Sequence, residues 1–339
     1  MSSLPQIGLD IGSASIKIAE LVPTGKDKWR LLTAASSPTA AASSLDKINP
    51  AVMSQTIAKI VKEAGIHGKR VVASLPEDKV STHLLDMPIL ADAEVAQALQ
   101  WQVEQYIPIP LDQAVWSHQV VKKDDVSGQM EVLIVAAPKT LVTQYQQIIE
   151  SAGLEAVAFE TELTATARAT VAANSPLTAL VDIGATSTDI GVVRGGQLLL
   201  SRSVPTAGEA FTRSIETTLG LEKGQAESYK NTYGFSSAQL AGKLLEAMKP
   251  VLAIITAEIK KTVDFYASKH AGEAVKSVVL VGGVAALPDI VTVLSANLGL
   301  EVAVGNPLAR VELDSAQAQA LKGHEPFYAV ALGLAQRND

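Results

Sequence analysis

The sequence predicts an α/β chain of two similar lobes, with a smaller α/β subdomain inserted into the first. Three observations predict it. At 339 residues the chain has the length of about two domains. Asp-Ile-Gly occurs at Asp10, Ile11 and Gly12 and again at Asp182, Ile183 and Gly184. Each copy ends an apolar strand and leads through a hydroxyl-rich turn into another, which reads as an internal duplication. Between the copies, 80–154 carries its own alternation of strand, helix, strand, strand and helix.

The first copy opens as a hairpin: an apolar run to Asp10, a Gly-Ser turn, then Ile16, Ile18 and Leu21 before Pro23 and Gly25. A third strand is expected over 29–34, and the Ala/Ser-rich stretch 38–44 reads as a surface loop. A helix over 50–64 would bury Val52, Ile57, Ile60 and Val61 and stop at Gly65. The insert has strands over 80–86, 114–121 and 130–136, helices over 92–105 and 139–151, and a hairpin turn at 122–128. Trp101 and Tyr106 read as packing residues of the first of these helices, either of which could line a partner groove. The second copy has strands over 178–183, through Val193 and, after the Gly195-Gly196 turn, to Val204. Helices follow at 209–219, 223–232 and 237–270, then a buried strand at 277–281 and a final helix at 326–336.

Composition narrows the function. With 47% hydrophobic residues and a mean hydropathy of +0.22, the chain is not disordered. Twenty-eight Lys and Arg against 35 Asp and Glu leave a net charge of −7, which argues against nucleic acid as a partner. The absence of cysteine excludes disulfides, thiolate zinc sites and a cysteine nucleophile, and fits the cytosol. Residues 1–10 lack the pattern of a secretory signal, and Asp289 interrupts the longest apolar region, 277–304, below spanning length. His67, His83, His118, His270 and His324 show no metal-ligand spacing, and no Ser-His-Asp constellation is suggested locally.

An Asp-x-Gly turn on a hairpin lets backbone N–H groups approach a phosphate, while the carboxylate can hold a hydrated Mg²⁺. One such turn is ordinary; two at equivalent places in duplicated halves would clamp a polyphosphate from both sides. Lys17, seven residues after Asp10, can return an ammonium toward the turn, and Thr186, Ser187 and Thr188 add hydroxyls to the second copy. Gly282 and Gly283 end a buried strand, where a base or ribose can lie against backbone. Glu227 and Lys230 stand one helical turn apart and could meet ribose hydroxyls, although exposed pairs at this spacing are common.

The order of these motifs resembles the actin, Hsp70 and sugar-kinase superfamily over nearly the whole chain. Three segments resemble the PilM family of actin-like type IV pilus assembly proteins more closely: 85–90, 94–110 with its Gln-Tyr-Ile-Pro-Ile-Pro run, and 328–335. The resemblance implies an actin-like ATPase fold, two RNase H-like lobes around a nucleotide cleft, with an insert of the 1C type also found in the cell-division protein FtsA. The expected divisions are 1–79 for the first part of lobe 1, 80–154 for the insert, 155–176 for the return of lobe 1 and a linking helix, 177–325 for lobe 2, and 326–339 for a C-terminal helix on lobe 1.

The implied cofactors are ATP and Mg²⁺. Asp10 and Asp182 would hold the metal; Gly12, Ser13, Ala14, Ser15 and Lys17 would face the β-phosphate, and Gly184, Ala185, Thr186, Ser187 and Thr188 the γ-phosphate. Glu227 and Lys230 would take the ribose, and Gly282, Gly283, Val284 and Ala285 the adenosine. Glu160 and Glu162 are the candidates for orienting the attacking water; where the family tends to show Asp-x-Glu, this chain has Glu160-Thr161-Glu162, which bears on hydrolysis more than on binding.

The implied partner is the N-terminal cytoplasmic tail of a PilN-like membrane protein, held between lobe 1 and the insert, with pilus motor and platform proteins beyond it and self-association left open. No amphipathic membrane helix follows Gln336, so the expected location is cytoplasmic, peripheral to the inner membrane through partners. The expected function is an ATP-binding scaffold of the type IV pilus inner-membrane platform. The alternative is an FtsA-like filament former or slow ATPase of cell division or a related secretion system.

Overall fold

In a computed structural model, which describes residues 6–39, 49–100, 102–270 and 272–337, apolar alternation builds the first sheet. β1 (Gln6–Ile11), β2 (Ser15–Gly25) and β3 (Lys28–Pro38) form an antiparallel meander, with Ile7, Leu9, Ile16, Ile18 and Leu21 wholly buried. Most of the loop expected at 38–44 lies outside the described residues. In α1 (Pro50–Glu63), capped by the Asn49 side chain, Met53, Ile57 and Ile60 are buried while Val52 is 40% exposed. The inward face is set by the i, i+4, i+7 spacing that starts at Met53, one residue later than expected.

β4 (Arg70–Leu75) returns parallel to β1 and leads into the insert: β5 (Ser81–Pro88), α2 (Asp92–Gln100), β6 (Ala114–Asp124) and β7 (Gln129–Pro138). Its sheet has the order β5-β7-β6, antiparallel throughout, and its core joins Val95 and Leu99 of α2 to Met130, Val132 and Ile134. The helix expected to reach 105 stops at Gln100 and is followed by a 3-10 turn, Val103–Gln105, just before the prolines Pro108 and Pro110. Trp101 lies outside the described residues; Tyr106 is 38% exposed, with its ring 6.0 Å from that of His83. α3 (Lys139–Ser151), expected to close the insert, instead sends Tyr145, Ile148 and Ile149 into the core of lobe 1 beside Met53 and Ile57.

β8 (Glu155–Thr161) pairs parallel with β4 at the edge of the first sheet, and α4 (Glu162–Thr170) links it to lobe 2. There β9 (Thr178–Ile183), β10 (Thr188–Arg194) and β11 (Gln197–Val204) repeat the antiparallel meander. α5 (Gly208–Leu219), α6 (Lys223–Tyr233) and α7 (Lys243–Lys269) follow. The long helix begins six residues later than expected because Leu240, Ala241 and Gly242 take left-handed backbone angles, with φ of 50°, 52° and 76°. β12 (Ser277–Val281), α8 (Ile290–Leu298) and β13 (Glu301–Val304) end the lobe.

The duplication is carried by topology. Lobe 1 has the order β3-β2-β1-β4-β8 and lobe 2 the order β11-β10-β9-β12-β13, each an antiparallel meander extended by two parallel strands. The chain returns to lobe 1 earlier than the expected boundary at 325: β14 (Val311–Glu312) pairs with β3, and after α9 (Ser315–Leu321) Leu321 packs beside Trp29. The final helix is shorter than expected, a 3-10 turn, Glu325–Tyr328, and α10 (Ala329–Ala335), which lies on β1 and crosses α4. Any side chain at Gly333 would collide with the Ala165 carbonyl, so the crossing of these two helices requires glycine there. The insert leans on lobe 2 as well: Leu84, Leu133 and Val135 pack with Leu180, Val193 and Leu198, and Arg194 joins Glu131 to Glu273.

Candidate functional site

The two Asp-Ile-Gly turns adopt one geometry. The Gly12 N–H donates to the Ser15 carbonyl at 3.1 Å, and the Gly184 N–H to the Ser187 carbonyl at 3.0 Å. Register then decides what faces each aspartate. Lys17 stands opposite Asp10 on the neighbouring strand, and Asp189 stands opposite Asp182. The Lys17 ammonium donates to Asp10 Oδ2 at 2.8 Å and lies 4.7 Å from the centre of the Phe327 ring, while Asp10 Oδ1 accepts from the Ser74 hydroxyl at 3.1 Å. The turns meet: Thr186 Oγ1 donates to Ser13 Oγ at 2.9 Å. Gly282, with φ of 86°, brings the end of β12 against Asp182 so closely that a Cβ would strike the carboxylate.

Between these elements lies a cleft of about 890 Å³. It gathers Asp10, Gly12, Ser13, Ala14, Ser15 and Lys17 from lobe 1, and Asp182, Gly184, Ala185, Thr186 and Ser187 from lobe 2. Glu162, Glu227, Lys230, Gly282, Gly283 and Val284 also line it. Three expected residues do not. Thr188 is buried and donates its hydroxyl to the Thr206 carbonyl at 2.7 Å, because as the first residue of β10 it turns inward. Ala285 belongs to the core of lobe 2.

Glu160 is likewise turned from the cleft and bound by Arg168 at 2.7 Å and Arg337 at 3.3 Å. Of the two candidate carboxylates, the one at the cleft is Glu162. Lys230 reaches the cleft, but its ammonium is engaged by Thr212 Oγ1 at 2.7 Å and the Gly208 carbonyl at 3.2 Å, so it ties α6 to α5. Burial holds its pKa below the usual lysine value.

Asp189, Asp78, Phe327, Gly208 and Glu209 were not anticipated and also line the cleft. Asp189 had a signal: it follows Asp182 by the seven residues that separate Lys17 from Asp10.

Carboxylates crowd this space. Burial, then repulsion from Asp189, pushes Asp182 up to about 7. Burial lifts Asp189 itself to about 6, and burial followed by Asp189 and Asp10 lifts Glu162 well above the usual carboxylate range. Burial opposes the charge of Lys17, but Asp10, with Asp182 and Glu162 farther off, outweighs it and raises the lysine's pKa. A triphosphate would meet net negative charge here, so a divalent cation is the complement the site calls for. Among the described residues no three His, Asp or Glu side chains converge as a ready metal cage. The donor set of Asp10 and Asp182 fits Mg²⁺, which keeps several waters and is bound through one or two carboxylates and phosphate oxygens.

The model of the family described as type IV pilus assembly protein PilM matches residues 8–339. The chain belongs to this family. Among solved structures, the PilM-PilN type IV pilus biogenesis complex superposes with a TM-score of 0.83 at 27% identity, covering 98% of each chain. MreB5 of Spiroplasma citri bound to ADP gives 0.52 at 13% identity, covering 98% of this chain and 95% of that one, a likeness of fold alone. The cell division protein FtsA of Bacillus subtilis is 24% identical over 206 residues, 53% of this chain. The PilM-family chain thus spans less than half, 45%, of that curated relative. Its fold is actin-like, two lobes of the same strand order facing each other across the cleft.

Proposed function

We propose that this PilM-family protein is an actin-like scaffold of type IV pilus assembly whose cleft binds MgATP and whose insert helps to hold the N-terminal cytoplasmic tail of a PilN-like membrane protein. The observation that carries the nucleotide reading is the meeting of the two Gly-turns at Ser13 and Thr186, with the carboxylates of Asp10 and Asp182 behind them. Backbone N–H groups and hydroxyls of both turns take the phosphates, and Lys17, already aligned by Asp10, supplies a cation on the lobe 1 side. Asp10 and Asp182 would hold Mg²⁺, which would neutralise phosphate charge. Gly282 and Gly283 offer bare backbone to the adenosine, and Glu227 an exposed acceptor for the ribose. Glu162 is the side chain at the cleft that can orient a water toward the γ-phosphate.

The PilN-like partner is supported by the complex whose PilM chain this one resembles from end to end. Among the described residues no helix is long and apolar enough to cross a membrane, which suits recruitment to the inner membrane through such a partner. Titration calorimetry of nucleotide-free protein with MgATP, and separately with a synthetic PilN-type tail, tests both halves. Saturable heat is expected in each titration, and a flat MgATP trace removes the nucleotide reading while leaving the peptide reading intact.

A further inference from the structure

One buried carboxylate at the edge of the cleft has no part in the scheme above. Glu77 begins the 3-10 turn Glu77–Lys79, the covalent root of the insert between β4 and β5, and is only 4% exposed. Its backbone N–H donates to Glu162 Oε2 at 3.1 Å, and its own Oε2 accepts from the Leu163 N–H, in the first turn of α4, at 3.3 Å. The hydroxyls of Ser201, on β11, and Thr161 stand near this carboxylate and favour its charge, without a hydrogen bond of normal geometry to Oε1. The cap position of α4 is already filled, since Thr161 Oγ1 accepts from the Thr164 N–H at 3.2 Å. A second buried carboxylate is therefore more than capping asks for, and burying one is costly even beside these hydroxyls.

The arrangement is reciprocal. The amide of Glu77 fixes the carboxylate of Glu162, while the carboxylate of Glu77 fixes the helical turn that carries Glu162. The same 3-10 turn packs against β11 of lobe 2, as β5 does just beyond it, and Asp78 and Lys79 line the cleft. A shift of the insert must therefore move Glu77, and Glu162 with it.

We infer that Glu77 is a positioning residue for Glu162 and the joint through which the occupied insert acts on the cleft. The inference rests on the proposed nucleotide and peptide binding and on coupling between them, and names the residue that carries it. By linkage, whatever the peptide does to nucleotide affinity the nucleotide does to peptide affinity.

The test uses the full chain, MgATP and a synthetic PilN-type N-terminal peptide. Saturating peptide should change the wild-type Kd for MgATP by about fivefold or more. Glu77→Gln, which keeps an acceptor for Leu163, should retain the shift. Glu77→Ala should bring it within about twofold of unity although each ligand still binds alone. A wild-type chain that binds both ligands independently, or a Glu77→Ala chain with the full shift, overturns the inference and leaves the binding reading standing. A chain that fails to take one ligand overturns the inference together with that half of the reading. If Glu77→Ala does not fold, hydrogen exchange on the wild-type chain decides: peptide should slow exchange at Leu163 and Thr164, and unchanged exchange there at peptide saturation overturns it.

Discussion

Thr186 and Ser13 share a hydrogen bond of 2.9 Å across the two lobes, so the tips of the duplicated turns touch over the cleft. A phosphate gripped by both turns takes over the two hydroxyls that now satisfy each other. Hydrogen bonds to a charged group contribute about 1.5–3 kcal/mol, so Thr186→Ala should weaken MgATP binding by about tenfold or more, and Ser13→Ala by a similar factor. Titration calorimetry reads both. An affinity unchanged in both variants would put the phosphates elsewhere.

Lys17 and Asp10 give the second expectation. Asp10 is 2% exposed and its Oδ2 is held by the Lys17 ammonium. Lys17→Met leaves that carboxylate buried without its cation and should cost about 3 kcal/mol in urea denaturation, whereas adding Asp10→Asn should recover part of the loss. A double variant no more stable than Lys17→Met would mean that the pair is not coupled.

Two glutamates a residue apart should respond differently. Glu160 is held by Arg168 and Arg337, whereas Glu162 is surrounded by carboxylates that push its pKa well up. Glu160→Gln should destabilise by about 2 kcal/mol and leave MgATP affinity within about twofold. Glu162→Gln should gain stability over wild type as pH rises, because burial and its neighbours oppose the charged form of the glutamate. A difference from wild type that does not grow with pH in denaturant melts would contradict this assignment.

Much of this was legible in one dimension, for physical reasons. The hairpin strands carry period-two alternation, and the duplicated Asp-Ile-Gly marks both turns, so the meanders and most of the turn residues that line the cleft followed from pattern. β4 was not anticipated, because a strand buried from Val71 to Leu75 has no polar face to alternate with, and β8 was not, because at the sheet edge its outward Val157 is apolar and masks the alternation. The allotment of α3 to lobe 1 and the return of β14 to the first sheet are tertiary choices that no local signal records. Glu160 and Glu162 could not be told apart for a related reason: one ends a strand and the other starts a helix, and only the packing of α4 and the C-terminal segment gives Glu160 its arginines. Glu77 had no motif at all; its role is set by a helix 86 residues away in sequence.

Glu77 also gives the pH expectation. Burial, then repulsion from Asp189, pushes its carboxyl from the ordinary 4.5 up to about 7. A folded-state pKa above the unfolded value means that the folded chain holds the proton more tightly. The wild-type chain therefore loses stability as pH rises from about 4.5 to about 7, and the loss is complete above that range. A shift of this size corresponds to about 3 kcal/mol. Glu77→Gln carries no titrating group there and keeps an acceptor for Leu163. Its stability relative to wild type should be near zero at pH 4.5 and should grow to about 3 kcal/mol at pH 8, read as the difference between urea midpoints at each pH. Taking the difference cancels the titration of Asp182 and leaves that of Asp189 only through its repulsion with Glu77, which belongs to the effect being read. A gap that is constant with pH would mean that Glu77 titrates alike in the folded and unfolded chain, and one that shrinks toward pH 8 would mean that the fold favours its charge.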